Sequence, residues 1–560
     1  MLQTAPFFVT FFLYIFRLLF RNPPPKPLRR SLSLSHPYAA VHSGTKTTYH
    51  KFTSLRRNDD DHPISPTTAV IIDVEGALLK STSMFPYFML VAFEAGSLVR
   101  AAVLLLFYPF LRLLTLAGGH GGELELKLMV FISFIGLRQK DFSVGSSVLP
   151  RAFLSDVALE AFEAAKGGGG GKVVAVCGKL PRVMVESFLK DYLEVEFVVA
   201  RELRVVGGYF VGALEEDSGG SAGEVVRAIG GDGDDRPVGI ARFSRDLDDH
   251  RIFSLCKEIY LVRRADKASW RNLPRDKYPK PLIFHDGRLA AVPTPLSFLA
   301  LLVWTPFGLL LAAARLAVAI TLPYTFSVPI LYFSGFRTVI TQTATSPPNS
   351  SAAAAAAAAE TAKKKGQLYV CNHRTLLDPL YLSFTMNRKF TAVTYSLSRV
   401  SELLSPIPTV RLNRDRVRDA EMMDRLLGRG DLVVCPEGTT CREPYLLRFS
   451  PLFAELTDEV VPVAMDVHVD MFYGTTASGL KCLDPLFFLL NPRPEYYIRV
   501  LDPVSTGLRS SGLATGPSRY DVANRVQRRI GDALGFECTK LTRKDKYMAL
   551  AGNEGIHYNR

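Results

Sequence analysis

The sequence predicts an α/β chain of two α/β domains with membrane-associated helices, and three observations lead there. Short runs rich in β-branched residues, Val70–Asp73, Lys172–Cys177, Leu368–Cys371 and Asp431–Cys435, each stop at a polar or glycine-bearing turn, as buried strands do when they deliver loops to one edge of a sheet. At 560 residues the chain exceeds what one core organises. Its 48% hydrophobic content and mean hydropathy of +0.13 fit two folded domains plus membrane-associated segments, with the longest apolar stretches at Phe85–Leu116 and Leu296–Leu322.

Taken from the N-terminus, residues 1–58 hold nine Lys or Arg and no Asp or Glu, so a basic leader supplies part of the net charge of +13. Its apolar run Phe7–Phe20 is interrupted by Arg17 and followed by Arg21, Arg29 and Arg30. The run is short for a spanning helix and no small-residue cleavage site stands out, which fits an uncleaved anchor or an interfacial segment. An acid-free leader bearing Arg and Ser also has the composition of a mitochondrial transit peptide, so the address stays open between endoplasmic reticulum and mitochondrion. Residues 36–66 read as a polar linker, which closes a leader segment of 1–65. A basic cytosolic face suits a lipid bilayer with anionic headgroups and phosphate-bearing substrates. No nucleic-acid partner is expected despite a pI near 9.3, because the chain lacks zinc spacing, a recognisable RNA-binding motif and a long basic helix.

Seven cysteines, Cys177, Cys256, Cys371, Cys435, Cys441, Cys482 and Cys538, are dispersed and lack Cys-x2-Cys spacing. Neither a disulfide framework nor a zinc site is indicated, and most of these residues sit beside apolar runs as small buried side chains. The domains should therefore face a reducing compartment.

The first domain, expected over 66–290, opens with Val70-Ile-Ile-Asp-Val-Glu-Gly-Ala-Leu-Leu79. The pattern Asp-x-Glu-Gly-x-Leu is similar to the first motif of the haloacid-dehalogenase phosphatases, in which the first Asp attacks phosphorus and a second Asp two residues on serves as acid and base. Here Asp73 keeps the first position and Glu75 replaces the second. One extra methylene displaces the carboxylate, and proton transfer is sensitive to displacement on an ångström scale. The strand Lys172–Cys177 runs into Gly178-Lys179-Leu180-Pro181 where the resemblance calls for Ser or Thr. No lysine occurs from Asp191 to Cys256, and Gly239-Ile-Ala-Arg-Phe-Ser-Arg245 carries arginine where an acidic metal motif belongs, with Asp246, Asp248 and Asp249 displaced. Together these departures read as a degenerate phosphatase site. The alternative is that Asp73 and Glu75 with Asp248 or Asp249 still hold Mg2+ through oxygen ligands. Gly167–Gly171 and Glu215–Arg236 read as surface loops.

Phe85–Leu116 carries Glu94, Arg100 and Arg112, so it is expected to form a helical hairpin or amphipathic membrane insert within the first domain. Leu296–Leu322, broken by Pro306 and Arg315 and followed by Pro323 and Pro329, anchors a membrane segment over 291–335. Its length allows one spanning helix or a re-entrant pair. A linker over 336–366 follows, with Pro-Pro, a run of eight alanines and three lysines between Ser346 and Lys365.

The second domain, expected over 367–560, carries the chemistry. After the strand Leu368–Cys371 come Asn372-His373, and Asp378-Pro379 open a segment with helical signals. Five residues separate His373 from Asp378, a spacing that lets a carboxylate hold one imidazole nitrogen and leave the other to take a proton from a hydroxyl. On this pair alone, Asp378 as a helix cap and His373 as a loop residue are the better explanation, and the blocks that follow change that balance. Next come Pro408–Arg416, a strand-like segment ending in clustered arginines, then Asp431–Thr440 with Glu437, Gly438 and Thr439 at a strand end, then Val460–Val467 containing Pro462.

Base, arginine cluster, Glu-Gly-Thr turn and Val-Pro strand in this order resemble the four blocks of the glycerolipid acyltransferases. Met84–Glu94, Pro281–Arg288, Cys435–Ser450 and Tyr547–Gly555 extend the resemblance to the plant membrane-bound glycerol-3-phosphate acyltransferases, which place a haloacid-dehalogenase-like half before an acyltransferase half. The resemblance covers nearly everything after residue 65 and implies an acyl-CoA:glycerol-3-phosphate acyltransferase, of sn-2 type and serving cutin, suberin or other specialised lipids. It implies no resident cofactor, with acyl-CoA as co-substrate.

Acyl transfer from a thioester to an alcohol needs a deprotonated hydroxyl, a seat for the acceptor's phosphate and stabilisation of an oxyanion. His373 is the expected base and Asp378 its orienter. Arg414 is the preferred phosphate ligand with Arg411 and Arg442 next, since guanidinium matches phosphate oxygens bidentately. Glu437, Gly438 and Thr439 are expected to line the glycerol phosphate pocket. A non-catalytic membrane scaffold, or a bifunctional enzyme releasing monoacylglycerol, are the rival readings. The C-terminal Ser518–Gly535 has helical periodicity with Val522, Val526 and Ile530 on a core face, and Thr539–Lys546 is either solvated or in touch with headgroups.

Overall fold

A computed structural model of the chain describes residues 39–42, 45–55, 68–117, 121–166, 172–215, 236–243, 252–342, 366–395, 398–507 and 518–554. The apolar leader run, the low-complexity linker, the surface loop at Gly167–Gly171 and Asp246, Asp248 and Asp249 lie outside the described residues. The chain divides into two compact units, Met1–Leu282 with Val292–Phe298, and Ile283–Ala291 with Leu299–Arg560.

In the first unit, the strands are β1 (Ala39–His42), β2 (Thr45–Lys51), β3 (Val70–Asp73), β4 (Val173–Cys177), β5 (Phe197–Ala200), the hairpin β6 (Leu203–Val206) and β7 (Tyr209–Leu214), β8 (Val238–Arg242) and β9 (Glu258–Val262). A seven-stranded sheet runs β1-β2-β9-β8-β3-β4-β5, and every neighbouring pair is parallel except the β1–β2 hairpin. All four residues of β3 are buried, which is why a central parallel strand reads as an unbroken Val-Ile-Ile run. The polar segment 36–66 is not wholly linker: Thr48, Tyr49, His50 and Lys51 of β2 register with Glu258 to Leu261 of β9, and alternation of Thr and Tyr with Lys and His suits a strand near a sheet edge.

The apolar insert of this unit is α1 (Phe85–Val91), α2 (Leu98–Ala117) and α3 (Gly121–Phe134). Helices α2 and α3 form a hairpin, with Thr115 donating to Glu125 Oε2 at 2.9 Å, so the second arm lies beyond the stretch Phe85–Leu116 in which a hairpin or amphipathic insert is expected. By length and composition Leu98–Leu116 suffices to cross a membrane. Ala101, Leu104 and Leu111 face inward while Val99, Leu106, Leu113 and Leu116 stay exposed.

The second unit contains α4 (Pro295–Thr321, from Leu299 on) and α5 (Tyr324–Phe333), then β10 (Arg337–Gln342), β11 (Leu368–Cys371), α6 (Asp378–Met386), β12 (Phe390–Thr394), β13 (Thr409–Arg411), α7 (Arg416–Leu427), β14 (Asp431–Val434) and β15 (Tyr445–Leu446). Then come β16 (Glu459–His468), β17 (Glu495–Val500), β18 (Val504–Ser505), α8 (Arg519–Leu534), β19 (Glu537–Cys538) and α9 (Arg543–Ala551). The main sheet runs β10-β17-β16-β11-β14-β12-β13, with β18 paired to β16. Strand β11 lies parallel between β16 and β14 and sends Leu368 and Val370 to one core, Tyr369 and Cys371 to the other. Val522, Val526 and Ile530 of α8 fill the first core, as their spacing predicts, and a Ser518–Asp521 capping box starts that helix.

Helix α4 is apolar and long enough to span, and Val303, Phe307 and Leu310 are exposed along it. Arg315 does not break the helix. Its guanidinium is buried and donates to the carbonyls of Leu489 at 2.7 Å, Asn491 at 2.6 Å and Pro492 at 3.0 Å, so the charge is dispersed over peptide oxygens. Gly335 permits this approach, since its φ is +107° and a Cβ there would meet the Pro492 carbonyl oxygen at 2.2 Å. The Pro281–Arg288 block, expected to close the first domain, belongs to the second unit from Ile283 onward, because Arg288 pairs with Asp484 at 2.7 Å and Asp286 with Arg442 at 3.7 Å.

Candidate active site

The site is built where β11 and β14 end side by side, the edge at which parallel sheets present loops to ligands. Asn372 is fully buried and grips β16 by both ends of its amide: its Nδ2 donates to Met465 O at 2.8 Å, and Met465 N donates to its Oδ1 at 2.7 Å. The next residue, His373, is thereby fixed in position. Its Nδ1 lies 2.9 Å from Asp378 Oδ2, and because a carboxylate only accepts, Nδ1 carries the proton and Nε2 is the available base.

Asp378 is wholly inaccessible to solvent. Its oxygens also accept from Arg374 N at 2.6 Å, Thr375 N at 3.0 Å, Thr375 Oγ1 at 3.2 Å and Tyr496 OH at 2.9 Å. The carboxylate thus turns back on its own loop and on β17, where a helix cap would have faced the first turn of α6. Cys435, assigned no role by the sequence, brings its sulfur within 4.8 Å of the ligand atoms of His373 and Asp378.

Glu437 takes a different place from the expected one. Its Oε1 accepts from His373 N at 2.6 Å and its Oε2 from Leu447 N at 2.8 Å, so both oxygens are spent on the main chain and the residue braces the catalytic loop. Burial pushes its pKa up to about 7. Gly438 has φ +66° and nothing within 4 Å of a Cβ position, so the turn leaves open space at that point. The carbonyl of His373 accepts from Cys441 N at 2.9 Å, which clamps this second loop to the first.

The three candidate arginines separate clearly. Arg411 is exposed and paired with Glu402 at 2.8 Å. Arg442 is partly buried, held by Thr475 Oγ1, the Gly287 carbonyl, Asp286 and the Tyr473 ring, and so anchors the His285–Arg288 segment. Burial alone would raise the pKa of Asp286, but Arg442 and donors from Ser478 and Ala477 hold it well below the usual carboxylate range. Arg414 is exposed, has φ +65°, and among the described residues no acid pairs with its guanidinium. Asp419 maintains that left-handed backbone by accepting from Asn413 N at 2.9 Å and Arg414 N at 3.0 Å. Thr439 is buried, with its hydroxyl 3.4 Å from Lys546 Nζ.

In the first unit Asp73 stands at the end of β3 and accepts from Gly76 N at 2.7 Å and Arg242 N at 3.4 Å. Glu75 reaches across to β4, where its carboxylate accepts from Gly178 N at 3.2 Å, Lys179 N at 2.9 Å and Leu180 N at 2.8 Å. Burial and then the Asp73 charge raise the Glu75 pKa. A haloacid-dehalogenase-like fold calls for Mg2+, and the described residues do not fit it: Glu75 is committed to three amides and Arg242 occupies the strand end expected to carry an acid, while Asp248 and Asp249 lie outside the described residues. The stretch Asp191–Cys256 holds no lysine, but Lys267, which follows it, is buried and donates to the carbonyls of Glu75 at 3.0 Å and Leu79 at 2.7 Å.

Tyr496 and Lys267 are not singled out by the sequence, and Lys546 ends a stretch expected to be solvated or in touch with headgroups, whereas it is buried. Tyr496 and Lys546 lie 118 and 107 residues from their partners, and Lys267 follows the last strand of its sheet, so no local spacing marks any of them.

Residues 69–262 match the family described as "Glycerol-3-phosphate acyltransferase RAM2-like, HAD-like domain", and residues 354–466 match the acyltransferase family. The chain is 53% identical over 493 residues to "Probable glycerol-3-phosphate acyltransferase 2" of Arabidopsis thaliana, covering 87% of this chain and 89% of that protein. It is 47% identical to "Glycerol-3-phosphate acyltransferase 1" of the same plant, over 86% of this chain and 81% of that one. It is 41% identical to "Glycerol-3-phosphate acyltransferase RAM2" of Petunia hybrida, over 86% and 97%. With two family matches in the order of its two units and identity of this extent over most of its length, the chain belongs to the glycerol-3-phosphate acyltransferase family.

Proposed function

We propose that the protein transfers an acyl chain from acyl-CoA to a hydroxyl of glycerol 3-phosphate and releases lysophosphatidic acid. The observation that carries this reading is His373 held through Nδ1 by a buried carboxylate, in a chain of this family. His373 Nε2 takes the proton of the acceptor hydroxyl, and that oxygen attacks the thioester carbonyl. The tetrahedral intermediate then collapses with the CoA sulfur as leaving group, which recovers the proton from the imidazolium. Arg414 meets the acceptor's phosphate, and no metal or resident cofactor enters the scheme.

The finer parts of the proposal follow the family resemblance: the sn-2 hydroxyl as acceptor and a role in cutin-, suberin- or other specialised lipid synthesis. Membrane attachment through α2 and α4 is supported by their exposed apolar side chains, and the endoplasmic reticulum is the expected membrane. The first unit is proposed to be silent as a phosphatase, because Glu75 is bound by the main chain and no hydroxyl follows β4.

The test is an assay of microsomes with labelled glycerol 3-phosphate and acyl-CoA, with positional analysis of the product. His373→Ala should fold and lose about 100- to 10,000-fold in turnover, the usual cost of removing a positioned base. A folded His373→Ala protein with near-normal turnover would end this mechanism.

A further inference from the structure

Helix α9 lies beyond the segment that matches the acyltransferase family, yet its first turn returns to the Glu437–Thr440 loop. Lys546 of this helix is only 7% exposed. Its ammonium donates to Thr440 O at 2.5 Å, Thr440 Oγ1 at 3.1 Å and Thr439 Oγ1 at 3.4 Å, so three N–H bonds meet three neutral oxygens. Asp286, a carboxylate whose charge acts on it, is already engaged by Arg442, Thr476, Ala477 and Ser478. A buried ammonium without a contacting counterion is costly, and an anionic ligand beside it would offset that cost.

Two more cations gather on the neighbouring side chain. Lys481 Nζ lies 2.7 Å from Tyr547 OH and 4.4 Å from the ring centroid, and Arg543 Cζ lies 5.0 Å from the same centroid. Both are partly accessible to solvent. Burial, and then the charge of Arg414, lower the Arg543 pKa, so Arg414 acts on the same cluster. Asp545 of α9 accepts from Thr542 N and Oγ1, each at 2.7 Å, and Glu554, beyond the helix, pairs with Lys544.

We infer that Lys481 and Arg543, gathered on Tyr547, bind the phosphate of the acceptor together with Arg414, so that the C-terminal helix completes the acceptor site. This rests on the acyltransferase reading and names the residues that read its acceptor. The phosphates of CoA have the same chemistry, but position favours the acceptor. Tyr547 follows Lys546, whose ammonium holds Thr440 of the loop in which Cys441 N–H holds the His373 carbonyl at 2.9 Å. A three-carbon acceptor keeps its phosphate close to the hydroxyl that His373 must reach, whereas the nucleotide phosphates of CoA lie a full pantetheine arm from the thioester.

The experiment uses the full-length protein in detergent, with Lys481→Ala and Arg543→Ala assayed against both substrates. Each variant should raise the KM for glycerol 3-phosphate about tenfold or more, as expected for a lost charge-assisted hydrogen bond, and leave that for acyl-CoA unchanged. Arg543→Lys should recover part of the loss. A second arm measures thermal stabilisation by glycerol 3-phosphate: His373→Ala should keep it, while Lys481→Ala and Arg543→Ala should lose it. An unchanged KM and retained stabilisation in both variants, or a KM effect confined to acyl-CoA, would overturn the assignment. Failure of the acyltransferase reading looks different, with the wild type stabilised by glycerol 3-phosphate and transferring no acyl group.

Discussion

Tyr496 donates its phenolic hydrogen to Asp378 Oδ1 at 2.9 Å, and through that oxygen it fixes the carboxylate whose other oxygen holds His373. Tyr496 is fully buried on β17 and stacked on Tyr381 with ring centroids 3.7 Å apart, and its hydroxyl also meets Thr375 Oγ1. Burial and then the Asp378 charge push its pKa well up, which keeps it a donor. The base is therefore oriented from two directions, by its own loop and by a strand far along the chain.

Tyr496→Phe should lower kcat about 10- to 100-fold with little change in either KM, because a hydrogen bond to a charged group contributes about 1.5–3 kcal/mol and touches no substrate. A purely structural tyrosine would reduce the amount of folded enzyme and leave kcat per folded molecule unchanged.

Glu437 supplies a pH dependence of stability. Its folded pKa of about 7 stands above the ordinary 4.5, so the native state holds a proton that the unfolded chain releases earlier. Stability should then fall as pH rises from about 4.5 through about 7, by about 3 kcal/mol in all, and level off above. The difference in melting temperature between wild type and Glu437→Gln, followed from pH 4.5 to 8, should trace that fall. A difference that stays constant across the window would contradict the assignment.

Arg414 combines an exposed guanidinium with a left-handed backbone, φ +65°. Replacement by Gly removes the charge and relieves the backbone together, so stability should hold or rise slightly while the KM for glycerol 3-phosphate increases about tenfold or more. Steady-state kinetics against both substrates decide the point. An equal effect on acyl-CoA, or none on either, would remove Arg414 from the acceptor site.

The strands and the loop chemistry after Leu368 were legible because they are local: a β-branched run, a His and an Asp five residues apart, and a Glu-Gly-Thr turn all declare themselves within a dozen residues. What lay hidden depends on distant segments. Nothing near Glu437 marks its oxygens as destined for His373 N and Leu447 N, so a carboxylate expected to line a pocket proves to brace a loop. Arg442 read as a phosphate ligand for the same reason, since its partners Asp286 and Gly287 come 155 or more residues earlier. Arg315 looked like an interruption of an apolar helix because its carbonyl partners lie 174 to 177 positions ahead.

The last prediction is that the enzyme stops at lysophosphatidic acid and forms no monoacylglycerol. A phosphatase of this fold needs an acid two residues after its nucleophile, a phosphate seat at the end of the second strand, and metal ligands beyond. Glu75 occupies the second-strand seat itself, accepting from Gly178, Lys179 and Leu180, the amides that would have to receive the phosphate. Asp73 is tied to Gly76 N, and Arg242 stands where an acid is called for. Lys267 brings a positive charge back to the pocket, but burial lowers its pKa to about 8 and its ammonium is spent on the carbonyls of Glu75 and Leu79. On the proposed reading Lys267 alone does not restore the reaction. Purified protein given glycerol 3-phosphate, acyl-CoA and Mg2+ should accumulate only the phosphorylated product, and Glu75→Asp should not change that outcome. Monoacylglycerol formation that continues in the wild type and vanishes in Asp73→Asn would make the protein bifunctional and refute this reading of its first unit.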